Sequence, residues 1–206
     1  ILCYYLVMKK LVLTLFLVLL FSSQNTFAQT QEPLKAQLTM RDVVVFSNNK
    51  NTLFGLKDKS GNIVVDAQYK KLIRLGTSSW IINKKNKYGI MDSSGNILVE
   101  PKFRHVDRMM LKYVKLGNEN DYGVYDEKGE IILPNEYMTI NMLFGGMFLI
   151  KKNYKYGVAD RNGNIILKPI FDEIYMPKPN IMRIEYNGQW YEIEQIAGGE
   201  IELPED

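Results

Sequence analysis

Four aspartates, Asp58, Asp92, Asp126 and Asp160, recur 34 residues apart, and each stands three residues before a glycine. Carboxylates at so regular a spacing could form a cation-binding array. A calcium loop, however, needs oxygen ligands at alternating positions, and Asp92-Ser93-Ser94-Gly95 offers one side-chain carboxylate per loop. A catalytic acid is needed once, whereas a turn residue is needed in every unit, so the aspartates read as construction. His105 is the lone histidine and could serve as a general base or a ligand. The residues one or two repeats away from it, Lys71, Thr139 and Glu173, are polar and variable, which reads as a surface position. The one cysteine is Cys3, so the rest of the chain offers no thiolate nucleophile, disulfide or cysteine metal site. No catalytic residue, metal or cofactor is expected, and the chain is read as a non-enzyme.

One column could hold a ligand. Phe54, Tyr88, Tyr122, Tyr156 and Trp190 share the 34-residue period, and aromatics stacked at a fixed rise suit sugars or peptides. The candidate ligand-binding residues are therefore Tyr88, Tyr122, Tyr156 and Trp190. The competing reading is that each ring fills the layer between neighbouring units, over the space left by the adjacent glycine. Methionines and aromatics also gather at Met109-Met110-Leu111 and in residues 142–147. Exposed, these would be adhesive; packed, they would be flexible core filler.

The elements that position these residues follow from the same period. Asp followed by Gly three residues later fits a type I turn, with glycine supplying a positive φ to close a bulged hairpin. The runs Ile63-Val64-Val65, Ile97-Leu98-Val99, Ile131-Ile132-Leu133 and Ile165-Ile166-Leu167 are β-branched-rich and too short for helices, so each reads as a strand. A second strand precedes each aromatic-glycine pair. Its alternation places Trp80, Val114, Phe148 and Met182, with Ile82, Leu116, Ile150 and Ile184, on a buried face. Ile81, Lys115, Leu149 and Arg183 fall on a face expected to be wet. Tyr69, Phe103, Tyr137 and Phe171, followed three residues later by Leu72, Val106, Ile140 and Ile174, are expected to close each unit. A 34-residue period also suits a tetratricopeptide helix pair, but four Asp-x-x-Gly turns and β-branched triplets would break every helix.

At 46% hydrophobic and 24% charged residues, the composition fits a folded domain. Met8-Lys9-Lys10, the apolar run from Leu11 to Phe21 and a polar stretch ending at Ala28 read as a secretory signal peptide cleaved after Ala28; residues 1–7 read as an over-extended start. The apolar run is about half the roughly 20 residues of a spanning helix, so no membrane span is expected in the mature chain. With Lys9 and Lys10 set aside, 24 basic residues face 23 acidic ones, which leaves no basic field for nucleic acid. Residues 29–40 read as a linker and 41–206 as the repeat domain.

Aromatic-Gly, an Asp-x-x-Gly turn, an aliphatic strand and a trailing aromatic resemble the WG repeat family of bacterial proteins across nearly all of the mature chain. The family's Trp-Gly stands here as Phe54-Gly55, Tyr88-Gly89, Tyr122-Gly123 and Tyr156-Gly157, and the last unit has Trp190-Tyr191. That unit lacks the turn aspartate, and Gly199-Glu200-Ile201-Glu202-Leu203-Pro204 echoes Gly129 to Pro134. The resemblance implies an architecture and supplies no catalytic residues. The expected fold is all-β, a tandem array of about five 34-residue antiparallel β-meander units, either an open β-solenoid or a propeller-like ring. The expected function is a secreted, periplasmic or extracellular binding or scaffold module with a protein or cell-envelope glycan as partner. A carbohydrate-binding module using the aromatic column is the alternative, and an enzyme with a site assembled from distant loops the third.

Overall fold

The computed structural model describes residue 39 and residues 41–194. The expected leader, most of the linker and the echo at 199–204 lie outside them. Within the described residues 18 strands form five antiparallel sheets. The first holds β1 (Val43–Ser47), β2 (Phe54–Asp58) and β3 (Ile63–Tyr69). The second holds β4 (Lys71–Leu75), β5 (Ser79–Lys84), β6 (Lys87–Asp92) and β7 (Ile97–Phe103). The third runs through β8 (His105–Arg108), β9 (Tyr113–Asn118), β10 (Asp121–Asp126) and β11 (Ile131–Tyr137). The fourth runs through β12 (Thr139–Met142), β13 (Phe148–Lys152), β14 (Lys155–Ala159) and β15 (Ile165–Phe171). The fifth holds β16 (Glu173–Lys178), β17 (Ile181–Tyr186) and β18 (Gln189–Glu194).

The hairpins form for the reason the sequence suggests. Gly61, Gly95, Gly129 and Gly163 have φ between 81° and 95°, a region open to glycine at little cost. Each donates its N–H to the carbonyl of the aspartate three residues earlier. The last three do a second job: a Cβ on Gly95, Gly129 or Gly163 would meet Val65, Leu98 or Ile132 of the preceding sheet, whereas one on Gly61 would meet nothing. The turn glycines therefore also let successive sheets close on each other.

The glycine after each aromatic works differently. Gly55, Gly89, Gly123 and Gly157 are absent from the positive-φ set, so space rather than backbone freedom fixes them. Tyr88 pairs with Phe103 while Ile90 pairs with Val99, so the strand opposite Gly89 carries extra residues. That bulge folds in over the glycine: a Cβ on Gly89 would lie 2.7 Å from Pro101 N and closer still to Val99 O. Backbone fills the space that the sequence reading gave to the aromatic ring. Pro101, Pro134 and Pro169 lie inside β7, β11 and β15, at or beside bulges that spare them a ladder hydrogen bond.

Four hydrophobic cores lie between the five sheets. The first joins Leu56, Val65 and Tyr69 to Trp80, Ile82 and Met91. The second joins Ile81, Ile90 and Phe103 to Val114, Leu116 and Tyr125. The third joins Val124, Leu133 and Tyr137 to Phe148 and Ile150, and the fourth Val158, Leu167 and Phe171 to Met182 and Ile184. Among the described residues no core joins the first sheet to the fifth. Each inner sheet is thus buried on both faces, which corrects the expectation of a wet face. Ile81 is 1% exposed, Leu149 packs against the fourth core, and the Lys115 side chain is 16% exposed, its ammonium reaching Asp107 and the Ile140 carbonyl. Only Arg183 of that column is exposed.

The aromatic patch also has a different role from the one expected. Tyr69 ends β3 and Leu72 lies in β4, so the pair spans two sheets instead of closing one unit. Single residues, Lys70, Arg104, Met138 and Asp172, carry the chain across. Each donates its N–H to the strand after next, Lys70 to Asn83 O at 2.8 Å for example.

Candidate functional site

Every inner sheet has a forward face turned toward the next sheet, and the aromatic column lies on it. Tyr88 packs against the second core, Tyr122 against the third and Tyr156 against the fourth. Lys115 and Lys151 lie over the rings of Tyr122 and Tyr156, at 5.7 and 4.4 Å from the centroids. Three of the four candidate residues are therefore half-buried parts of seams. Trp190 belongs to none of the four cores and is 48% exposed, because among the described residues no sheet follows the fifth.

Trp190 has neighbours that the sequence reading did not assemble. Cross-strand register places Tyr175 beside Arg183 and Arg183 beside Glu192. Arg183 Nε donates to Glu192 Oε2 at 2.7 Å and Nη1 to the Tyr175 hydroxyl at 3.4 Å. These hydrogen bonds, that to Tyr175 foremost, raise the guanidinium above its ordinary pKa. The rings of Tyr175 and Trp190 meet edge to face, centroids 5.6 Å apart. With Tyr191 these residues line an open depression of ≈ 420 Å³. A signal for it was present in the sequence: Glu192 occupies the position of Ile90, Val124 and Val158, all fully buried in their seams.

The recurrent aspartates are turn builders. Asp92, Asp126 and Asp160 accept through Oδ1 from backbone N–H groups two and four residues on, and Asp58 from Asn62. The side chains of Asn62, Asn96 and Asn164 complete the cradle by donating to Oδ2, a partner column the Asp-x-x-Gly pattern did not reveal. Hydrogen bonds from the Asn62 side chain and backbone hold the Asp58 carboxyl below its ordinary value. At Asp160 partial burial pushes the other way, and the bonds from Asn164, Asn162 and Gly163 outweigh it. A depressed carboxylate stabilises the fold fully above its unfolded pKa and ceases to do so as pH falls through the folded one. Thermal melting should therefore hold steady near neutrality and decline below about pH 4. Asp160→Asn should flatten that acid limb; an unchanged limb would remove Asp160 from the explanation.

His105 lies exposed on β8, tilted against the Tyr122 ring at 6.0 Å between centroids. Lys71, Thr139 and Glu173 are exposed too, as the column predicts. The methionine-rich loops divide. Met109, Met142, Leu143 and Met147 pack on the cores, while Met110, Leu111 and Phe144 are exposed. Among the described residues no helix is long and apolar enough to cross a membrane.

No curated protein matches the chain. A solved structure of Kluyveromyces lactis Hsv2p is similar over 77% of this chain, at 12% identity and a TM-score of 0.35. The match spans 60% of that protein, and at this distance it carries no functional inference. The WG containing repeat matches in tandem at residues 54–87, 88–108, 122–156 and 156–190. Each match begins on an aromatic of the column, and together they cover more than half of the sequence. The chain belongs to the WG-containing repeat family.

Proposed function

We propose that this chain is an exported, non-catalytic binding or scaffold module that works in the cell envelope or outside the cell. The observation that carries the reading is the forward face of the fifth sheet, where Trp190 is the exposed member of a column that the inner sheets half-bury. Extended repeat arrays bind through broad surfaces made by neighbouring units, and here the open face supplies rings and a charged pair without disturbing any core. The Met8-Lys9-Lys10 start, the apolar run and Ala28 support export. Of the aromatic column only Trp190 is left to support the carbohydrate reading, since Tyr88, Tyr122 and Tyr156 already serve the seams.

The test is affinity capture from envelope extract with the wild-type chain and with Arg183→Ala and Trp190→Ala, all at matched thermal stability. Capture that weakens in both variants supports the reading. Equal capture by all three places binding elsewhere, and substrate turnover abolished by a single substitution that leaves stability intact would replace the module by an enzyme. N-terminal sequencing of the exported chain should begin at Gln29; recovery of the uncleaved chain in the inner membrane would remove the export claim.

A further inference from the structure

The open face of the fifth sheet differs from its counterparts in ways that identify its occupant. At two cross-strand neighbouring positions the forward faces of the inner sheets carry Ile81 and Ile90 in the second, Lys115 and Val124 in the third, and Leu149 and Val158 in the fourth, so no stacked face has more than one charge there. At the same two positions the fifth sheet carries Arg183 and Glu192. Stacking another sheet here would bury this charged pair, and desolvation would oppose the contact. The face nevertheless keeps two large rings accessible, Trp190 at 48% and Tyr175 at 38%. A fitting ligand must offer an apolar surface to the rings and hydroxyls to the charges.

We infer that this depression is a binding site for a neutral pyranose oligosaccharide. The axial C–H face of a sugar ring packs on an indole or phenol ring, while its equatorial hydroxyls are directed toward the rim. Arg183 has five N–H donors, of which Nε and one on Nη1 are engaged by Glu192 and Tyr175. The Glu192 carboxylate has lone pairs beyond the one its partner uses. Donor and acceptor therefore lie side by side next to the two rings, an arrangement suited to neighbouring sugar hydroxyls. Because Arg183 and Glu192 are paired, their charges are largely balanced. Beyond that pair the same three strands carry Glu173, Glu185 and Glu194 against the one cation Lys178, an excess of negative charge that disfavours uronic and sialic acids. The assignment rests on the binding-module reading and specifies its ligand class.

Tryptophan fluorescence can test it directly. The chain has two tryptophans; Trp80 is buried and Trp190 exposed, so a ligand on this face should change the Trp190 emission. Titration of the full chain with cellotetraose and chitotetraose should give a saturable blue shift with at least one of them. Trp190→Phe should remove the signal while calorimetry retains the binding. Trp190→Ala and Glu192→Ile should each weaken calorimetric binding by about tenfold or more, without lowering the melting temperature. Tyr88→Phe, in a seam, should leave affinity unchanged. Polygalacturonate should not bind; preference for it would overturn the neutral-sugar assignment, as would no binding of either neutral probe or unchanged affinity in Trp190→Ala. Failure on sugars with envelope capture that still depends on Arg183 and Trp190 would retire the glycan and leave the module reading intact. Loss of both would retire both.

Discussion

Gly89→Val is expected to abolish the folded array or to destabilise it by more than about 3 kcal/mol, at the upper end of overpacking costs. The reason is that the new side chain has no soft neighbour to displace. Its Cβ would enter the backbone of the bulge at Val99, Glu100 and Pro101, and yielding there would break the register of β6 with β7. Gly123→Val should act the same way, since its Cβ would stand 2.7 Å from Leu133 O. His105→Ala, at an exposed position, should stay within about 0.5 kcal/mol of wild type. Denaturant melts of the three variants check this. Similar midpoints for Gly123→Val and His105→Ala would mean that the bulge can relax and that close packing is not what fixes the glycine.

Trp80→Ala should be the most damaging core truncation, losing about 3–5 kcal/mol from a total that for natural domains is about 5–15 kcal/mol. Trp80 fills the first core almost without exposure, so removing it opens a cavity between two sheets that cannot collapse independently. Its indole N–H donates to Ser93 Oγ at 3.2 Å, and that hydroxyl donates to Ser78 O at 2.9 Å. Ser93→Ala would leave the buried N–H unpartnered and should lose about 1–3 kcal/mol. The two effects share one contact, so the double variant should lose less than their sum. Full additivity would show that the hydrogen bond contributes nothing.

Local chemistry in this chain was readable and seam chemistry was not. Asp92, Gly95 and the run Ile97-Leu98-Val99 announce a turn and a strand because each acts through its near neighbours. Gly89 announced that something must come close, but the identity of the intruder depended on the pairing of Tyr88 with Phe103, which no 34-residue comparison contains. Lys115 misled because a lysine suggests water, whereas here the stem is covered and only the ammonium finds polar partners. With Lys115 and Arg183 in one column, the burial of Ile81 and Leu149 was hidden. The candidate site suffered in the same way. The aromatic column was visible, but which member stays open depends on whether a sheet follows, and Tyr175 joins Trp190 only because β17 pairs with both β16 and β18.

The matched repeat and the sheet are out of phase. Residues 54–87 contain β2 and β3 of one sheet and β4 and β5 of the next. Excision of residues 88–121 would therefore join β4 and β5 to β10 and β11, restoring a four-stranded sheet with both its faces still supplied. Duplication of the same window would add one sheet and one seam. Copy number can thus drift by unequal recombination with no intermediate that lacks a strand, so a lineage carrying this gene can lengthen or shorten its product in single-sheet steps. The fifth sheet can keep its exposed rings and charged pair while the number of sheets before it changes.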